Sequence, residues 1–129
     1  YSNFGEHKGQ GSPEMVREAV RILHEKCPDL LVDGEMQANF ALNGKLRYKR
    51  FPFNKLGDSD ANTLIFPNLG SGNITYKVLQ SLGTTESIGP ILMGMKKPVH
   101  ILQRDSSVRE IVNMVAIAVV DAQSSEEVS

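Results

Sequence analysis

Two kinds of segment alternate along this chain, and the alternation limits its fold more than any other feature. Leu30-Leu31-Val32 and Thr63-Leu64-Ile65-Phe66 are apolar runs too short for helices. They stand between longer stretches whose apolar residues recur at helical spacing. The runs contain almost no polar residues, so each expected strand is apolar on both faces. Strands of that kind lie in mostly parallel sheets with helices on either side. The expectation is therefore an α/β fold, a mostly parallel sheet flanked by helices.

The remaining segments fit this plan. Residues 1–11 carry Asn3, Gly5, Gly9 and Gly11 among charges and read as a mobile loop. Ser12 and Pro13 open a helix expected over 12–27, with Ser12 as its cap and Pro28 as its stop. A short helix is expected over 36–42, ended by Asn43-Gly44, and residues 46–53 read as a basic connector. A second long helix is expected over 72–82, stopped by Gly83. Residues 87–95 and 98–103 read as further strands. Ser107 and Glu110 form a capping box at the head of a last helix, expected over 107–121 and, with its apolar residues nearly all round, expected to be buried nearly all round. The organisation is one domain over 1–123 and a polar, disordered tail over 124–129.

Composition narrows the function classes. At 129 residues the chain suffices for a single core, and a net charge of -1 favours neither nucleic acid nor an anionic membrane. The three His and the single Cys27 show no metal-ligand spacing, so no metal site is expected. One Cys excludes an internal disulfide and fits a reducing, cytoplasmic setting. The apolar stretch over 111–120 is too short to span a bilayer, and no N-terminal segment reads as a signal peptide.

Ligands of open α/β sheets gather beyond the carboxyl ends of the strands, and two segments fall there. Pro67-Asn68-Leu69-Gly70-Ser71-Gly72-Asn73 joins a strand to a helix, and Gly72 and Asn73 can bring backbone N–H groups to an anion. The alternative is a tight turn that uses Gly for its dihedrals. Gln103-Arg104-Asp105-Ser106-Ser107 also precedes a helix. Arg104 can grip a phosphate, with Ser106 and Ser107 adding hydroxyls. The alternative is structural: Ser107 caps, and Arg104 pairs with Asp105 or Glu110. Asp33 and Glu35 read as cap and turn residues rather than an acid–base pair, and Cys27 as core rather than nucleophile. Lys45, Arg47, Lys49, Arg50 and Lys55 interleave with Tyr48, Phe51 and Phe53. That pattern suits single-stranded nucleic acid or a solvated connector, and the neutral net charge favours the connector.

Several segments resemble the phosphate acetyltransferase family, in the family's order and over nearly the whole chain. They include Ser2-Asn3-Phe4-Gly5, Val32-Asp33-Gly34-Glu35-Met36-Gln37, Ile65-Phe66-Pro67-Asn68-Leu69 with Gly72-Asn73-Ile74 and Tyr76-Lys77, Ile88 to Gly94, Lys97-Pro98-Val99, and Ile111-Val112-Asn113-Met114. Ser2-Asn3-Phe4-Gly5, Met36-Gln37 and Val119-Val120-Asp121-Ala122-Gln123 are similar to the family's malic-enzyme branch.

The resemblance implies a phosphotransacetylase-like three-layer domain of the isocitrate/isopropylmalate dehydrogenase kind, of which this chain is the C-terminal part, cut from a longer polypeptide. It implies a regulatory and oligomerising role: acetyl-CoA or a related CoA ester as ligand, a homo-oligomer, and an upstream malic-enzyme domain. That domain would use NADP and a divalent metal (Mg or Mn), with no cofactor in this segment. The family's catalytic Ser-Arg-Gly and following Asp map onto Gln103, Arg104, Asp105 and Glu110, which implies a binding site with weakened transfer chemistry. The alternative implied is a phosphate acetyltransferase moving acetyl between coenzyme A and phosphate.

Overall fold

Pro13 and the glycine before it decide where the first helix starts. In the computed structural model, which describes residues 2–6, 11–83 and 87–126, helix α1 spans Ser12–Lys26. Gly11 stands at its N-cap with φ 133°, and the Met15 N–H reaches the Gly11 carbonyl at 3.1 Å. Ser12 is thus the first helical residue and not the cap. A left-handed φ at the cap favours glycine, which has no Cβ to clash. Pro13 fits inside because its missing N–H has no helical partner there. Glu14 in the first turn and His24 and Lys26 in the last turn suit the helix dipole. Pro28 follows the C-cap Cys27.

Helix α2 (Ala38–Ala41) is short, and α3 (Gly44–Arg50) forms where a connector was expected. Asn43-Gly44 does not simply break the chain. The Asn43 side chain accepts the Leu46 N–H at 2.9 Å and so caps a new helix. Gly44 is required by contact rather than by dihedral, since a Cβ there would fall within the van der Waals radius of the Asp58 carbonyl. Helix α3 packs on α2.

Helix α4 spans Leu69–Leu82 and begins three residues before its expected start. Asn68 explains the shift, because its side chain accepts the Ser71 N–H at 2.9 Å. Gly83, at φ 64°, ends α4 as expected. Helix α5 (Val108–Glu126) opens at the expected capping box and runs past the Gln123 boundary into the residues read as a tail. It is not buried nearly all round: Met114 is buried, whereas Val108, Val112, Val115, Val119 and Val120 are exposed.

The sheet is the main departure from expectation. None of the segments 30–32, 63–66, 87–95 and 98–103 forms a strand among the described residues. A strand is defined by the backbone bonds of a neighbour, and the backbone bonds outside the helices here close turns and caps or tie loops singly, as from Phe4 N–H to Glu35 O and from Ala61 N–H to Ala41 O. Apolar side chains on these segments are exposed, Ile65 at 84% and Met93 at 84%. The apolar runs read as buried strands are thus neither paired in a ladder nor buried among the described residues.

The chain divides into two compact units, Tyr1–Tyr76 and Lys77–Ser129. The core of the first unit includes Val20, Ala41 and Phe51, and that of the second Met114. In the first unit Phe4, Phe40, Phe51 and Phe53 form an edge-to-face cluster with centroids 5.1 to 6.0 Å apart. Arg47 is fully buried beside it. Its guanidinium donates to Asn54 Oδ1 (3.0 Å) and to the carbonyls of Phe40 (3.0 Å), Ala41 (3.2 Å), Gly57 (3.2 Å) and Ser59. Neutral carbonyl dipoles thus satisfy a charge that is rarely buried alone, and they fasten residues 54–59 to α2 and α3.

Candidate functional site

The turn before α5 is built from its own side chains. The Ser106 N–H donates to the Gln103 carbonyl at 3.1 Å, and the Gln103 N–H returns to Ser106 Oγ at 3.0 Å. One residue on, the capping box closes: Ser107 N–H to Glu110 Oε2 at 2.6 Å, and Glu110 N–H to Ser107 Oγ at 3.2 Å. The turn is therefore fixed by Gln103, Ser106, Ser107 and Glu110, and Arg104 and Asp105 occupy its tip. Both are exposed. Ion pairs join Arg17 to Glu35 and Arg21 to both Glu18 and Glu25. Arg104 thus pairs with neither Asp105 nor Glu110, contrary to the structural alternative for that residue.

Glu110 is engaged by that cap. The Ser107 backbone N–H, then its hydroxyl, and more weakly the Lys77 ammonium hold its carboxyl below the usual range. A carboxylate kept ionised by a cap is a poor base, since efficient proton transfer needs a pKa near the working pH. Here the side chain serves the helix.

The other expected segment takes a different form. Gly72 and Asn73 lie within the opening turns of α4, not ahead of it. The Gly72 N–H donates to the Asn68 carbonyl at 3.3 Å, and Asn68 Oδ1 takes the Ser71 N–H. The N–H groups offered to an anion in the expectation are thus partly used by Asn68. A Cβ on Gly72 would meet the Phe66 ring at 3.8 Å, an ordinary contact, so no close approach demands glycine there. Gly72 and Asn73 belong to the first unit, and Arg104, Ser106 and Ser107 to the second.

A third cluster was missed by the sequence reading. Glu35 is buried, and its Oε1 accepts from Ser2 Oγ (2.8 Å), Gly5 N–H (2.9 Å) and Arg17 Nη2 (3.0 Å), while Oε2 accepts from Arg17 Nε (3.1 Å). Burial pushes the Glu35 carboxyl up, but the Arg17 guanidinium, the Gly5 N–H and the Ser2 hydroxyl together hold it below the usual range. The Phe4 N–H reaches the Glu35 carbonyl at 2.8 Å, and Asn3 Oδ1 accepts the Gln37 N–H at 2.8 Å. Ser2 and Asn3 are buried, so this part of the expected mobile loop is fastened; residues 7–10 of that loop lie outside the described residues. The partners of Glu35 lie 18 to 33 residues away in sequence, beyond the reach of any local pattern. The wording Ser2-Asn3-Phe4-Gly5 was the available signal.

Asp33 acts as a turn residue as expected, accepting the N–H groups of Gly34 (2.9 Å) and Lys55 (2.6 Å). Cys27, expected in the core, is exposed. It stands at the C-cap, where the helical face that would have buried it has ended. Among the described residues no group of three or more His, Cys, Asp or Glu is placed to hold a metal ion. No helix among them is long and apolar enough to cross a membrane.

Residues 1–119 match the phosphate acetyl/butaryl transferase family. The chain is 45% identical over 123 residues to an NADP-dependent malic enzyme of Haemophilus influenzae, covering 95% of this chain and 16% of that protein. It is 40% identical to a phosphate acetyltransferase of Clostridium acetobutylicum over 95% of this chain and 36% of the relative. It superposes on a phosphotransacetylase from Streptococcus pyogenes with a TM-score of 0.84 at 39% identity, covering 95% of this chain and 37% of that one. The chain thus spans about a sixth of the malic enzyme and little more than a third of the two phosphotransacetylases.

Proposed function

The chain belongs to the phosphate acetyl/butaryl transferase family, and on that premise we propose that it is the C-terminal part of a phosphotransacetylase-like domain of a malic enzyme, serving regulation and assembly rather than acetyl transfer. The parent polypeptide oxidatively decarboxylates malate to pyruvate on an upstream domain with NADP and a divalent metal. This segment contributes to binding acetyl-CoA as effector. Its extended apolar segments join a mostly parallel sheet with upstream strands, and its exposed apolar surface is covered by the rest of the domain and by a second copy in a cytoplasmic homo-oligomer.

The observation that carries the reading is the capping box. In this reading Glu110 is the counterpart of the family's proton acceptor, and its carboxylate is engaged by Ser107 at the head of α5, while Arg104 has no ion-pair partner among the described residues. That division suits anion binding without proton transfer. Arg104 offers paired donors to a phosphate of coenzyme A, and Ser106 and Ser107 frame the turn that presents it.

The test uses the full-length polypeptide that carries this segment. Acetyl-CoA binding is measured by calorimetry on wild type and Arg104→Ala, and acetyl transfer between coenzyme A and phosphate is assayed alongside. The proposal expects binding weakened about tenfold by the substitution, in line with the loss of charged hydrogen bonds, and no acetyl transfer. Acetyl transfer abolished by Glu110→Gln would establish the phosphate acetyltransferase alternative instead.

A further inference from the structure

Two kinds of attachment hold residues 2–6 to the rest of the first unit. The polar ones converge on a single turn. Ser2 Oγ and the Gly5 N–H donate to Glu35 Oε1 at 2.8 and 2.9 Å, and the Phe4 N–H donates to the Glu35 carbonyl at 2.8 Å. Asn3 Oδ1 accepts the Gln37 N–H at 2.8 Å. The apolar attachment is the Phe4 ring, 5.1 Å from Phe51 and 5.2 Å from Phe53. The segment also bonds to itself: the Glu6 N–H donates to the Asn3 carbonyl at 2.9 Å, and Asn3 Nδ2 to Glu6 Oε2 at 3.0 Å. It is therefore a small turn that can move as one piece.

Phe4 holds a costly backbone within that turn. Its φ is 43°, and no other residue except glycine has a positive φ among the described residues. A bulky side chain enters the left-handed region only where its surroundings compel it. Here the Glu35 carboxylate and carbonyl compel it from one side and two phenyl rings from the other. Weakening the carboxylate's grip lets the strain favour release.

The seat beneath is fastened by other groups. Arg47 ties α2, α3 and residues 54–59 together through Phe40, Ala41, Asn54, Gly57 and Ser59. That set shares no residue with the partners of Glu35, which are Ser2, Phe4, Gly5 and Arg17. Glu35 itself is moored to α1 by Arg17 Nε and Nη2 at 3.1 and 3.0 Å. Nothing in these bonds requires α2 and α3 to unfold when residues 2–6 leave.

We propose that residues 2–6 form a strap, locked by the Glu35 carboxylate, which opens while α3 stays folded and so bares the Phe51 and Phe53 rings. With the strap closed, Phe51 is buried at 7% exposure. With it open, Phe51 and Phe53, whose centroids lie 6.0 Å apart, present a joined apolar face. The strap lies wholly within the first unit and needs nothing of the turn before α5.

Amide hydrogen exchange of the full-length polypeptide, read by mass spectrometry at one pH, tests the strap. In the wild type the amides of Phe4, Gly5 and Gln37 should exchange together and at least about tenfold faster than those of α3, since a local opening exposes them ahead of global unfolding. Glu35→Gln should speed this group a further tenfold or so, about the loss of a charged hydrogen bond, with α3 still slower by at least the wild-type margin. Ser2→Ala, which removes one bond and keeps the charge, should give a smaller increase in the same group. Equal protection of the strap and α3 in the wild type overturns the proposal. So does a Glu35→Gln protein in which the two converge, because Glu35 then supports the whole unit, and so does one whose strap exchanges as in the wild type.

Discussion

Replacing Glu35 with Gln tests how far one buried carboxylate organises the first unit. The substitution keeps volume and shape but removes the charge and turns one acceptor oxygen into a donor. In the wild type Oε1 takes three hydrogen bonds and Oε2 one, all between 2.8 and 3.1 Å. With the amide oxygen in the Oε1 place, the Ser2 and Gly5 bonds become neutral, the Arg17 Nη2 bond keeps only its cationic donor, and the amide N–H faces Arg17 Nε. A hydrogen bond to a charged group contributes about 1 kcal/mol more than a neutral one. Three weakened bonds and one lost give about 4 kcal/mol, reduced to about 2–3 kcal/mol because Arg17 is 42% exposed and partly screened. The pH dependence has a definite sign. Glu35 is held below its ordinary value in the fold, so its contribution is complete above the unfolded value of about 4.3 and is lost as pH falls through the folded value. Urea denaturation of wild type and Glu35→Gln should show the full difference at pH 7 and a smaller one at pH 3, since the two proteins differ at Glu35 alone. A difference below about 0.5 kcal/mol at pH 7, or one that does not shrink in acid, would refute the reasoning.

Three further outcomes follow from the same structure. Arg47→Lys replaces five donors with three and leaves buried carbonyls unpaired, so it should cost about 3–5 kcal/mol in chemical denaturation, and a loss under about 1 kcal/mol would deny Arg47 its role. Ser107→Ala opens the capping box and should cost about 1 kcal/mol, read as a lowered Tm; an unchanged Tm would mean that the cap contributes nothing. The exposed valines of α5 should drive self-association, visible as a dimer in sedimentation velocity, and a monomer over a wide concentration range would count against a shared apolar surface.

What the sequence discloses depends on how far each interaction reaches. Helix ends written within four residues are legible: Pro13 inside α1, the Ser107–Glu110 box and the Gly83 stop all stand where the spacing puts them. Asn43 shows the limit of that reading. Asn-Gly signals both a breaker and a cap, and only the Leu46 N–H on its side chain decides between them. The apolar runs at 30–32 and 63–66 indicate burial but carry no information about which neighbour would pair with them, so a sheet read from the runs alone outpaces the described structure. Burial of α5 fails in the same way, because an apolar helix names no partner. Glu35 and Arg47 were illegible for another reason. Charged residues enter an interior only when distant groups satisfy them, and their partners at Ser2, Arg17 and Ser59 are set by the fold rather than by local spacing.

The central claim separates effector binding from turnover, and one measurement addresses it. Malate-dependent NADP reduction by the full-length polypeptide is followed while acetyl-CoA is titrated, in wild type and in Arg104→Ala. Regulation is a coupling between distinct sites, so the account predicts nearly unchanged turnover without acetyl-CoA and a response shifted about tenfold to higher acetyl-CoA in the variant. An identical acetyl-CoA response in the two proteins would contradict the role given to Arg104, and loss of basal turnover in a folded variant would show that the turn before α5 belongs to the catalytic site.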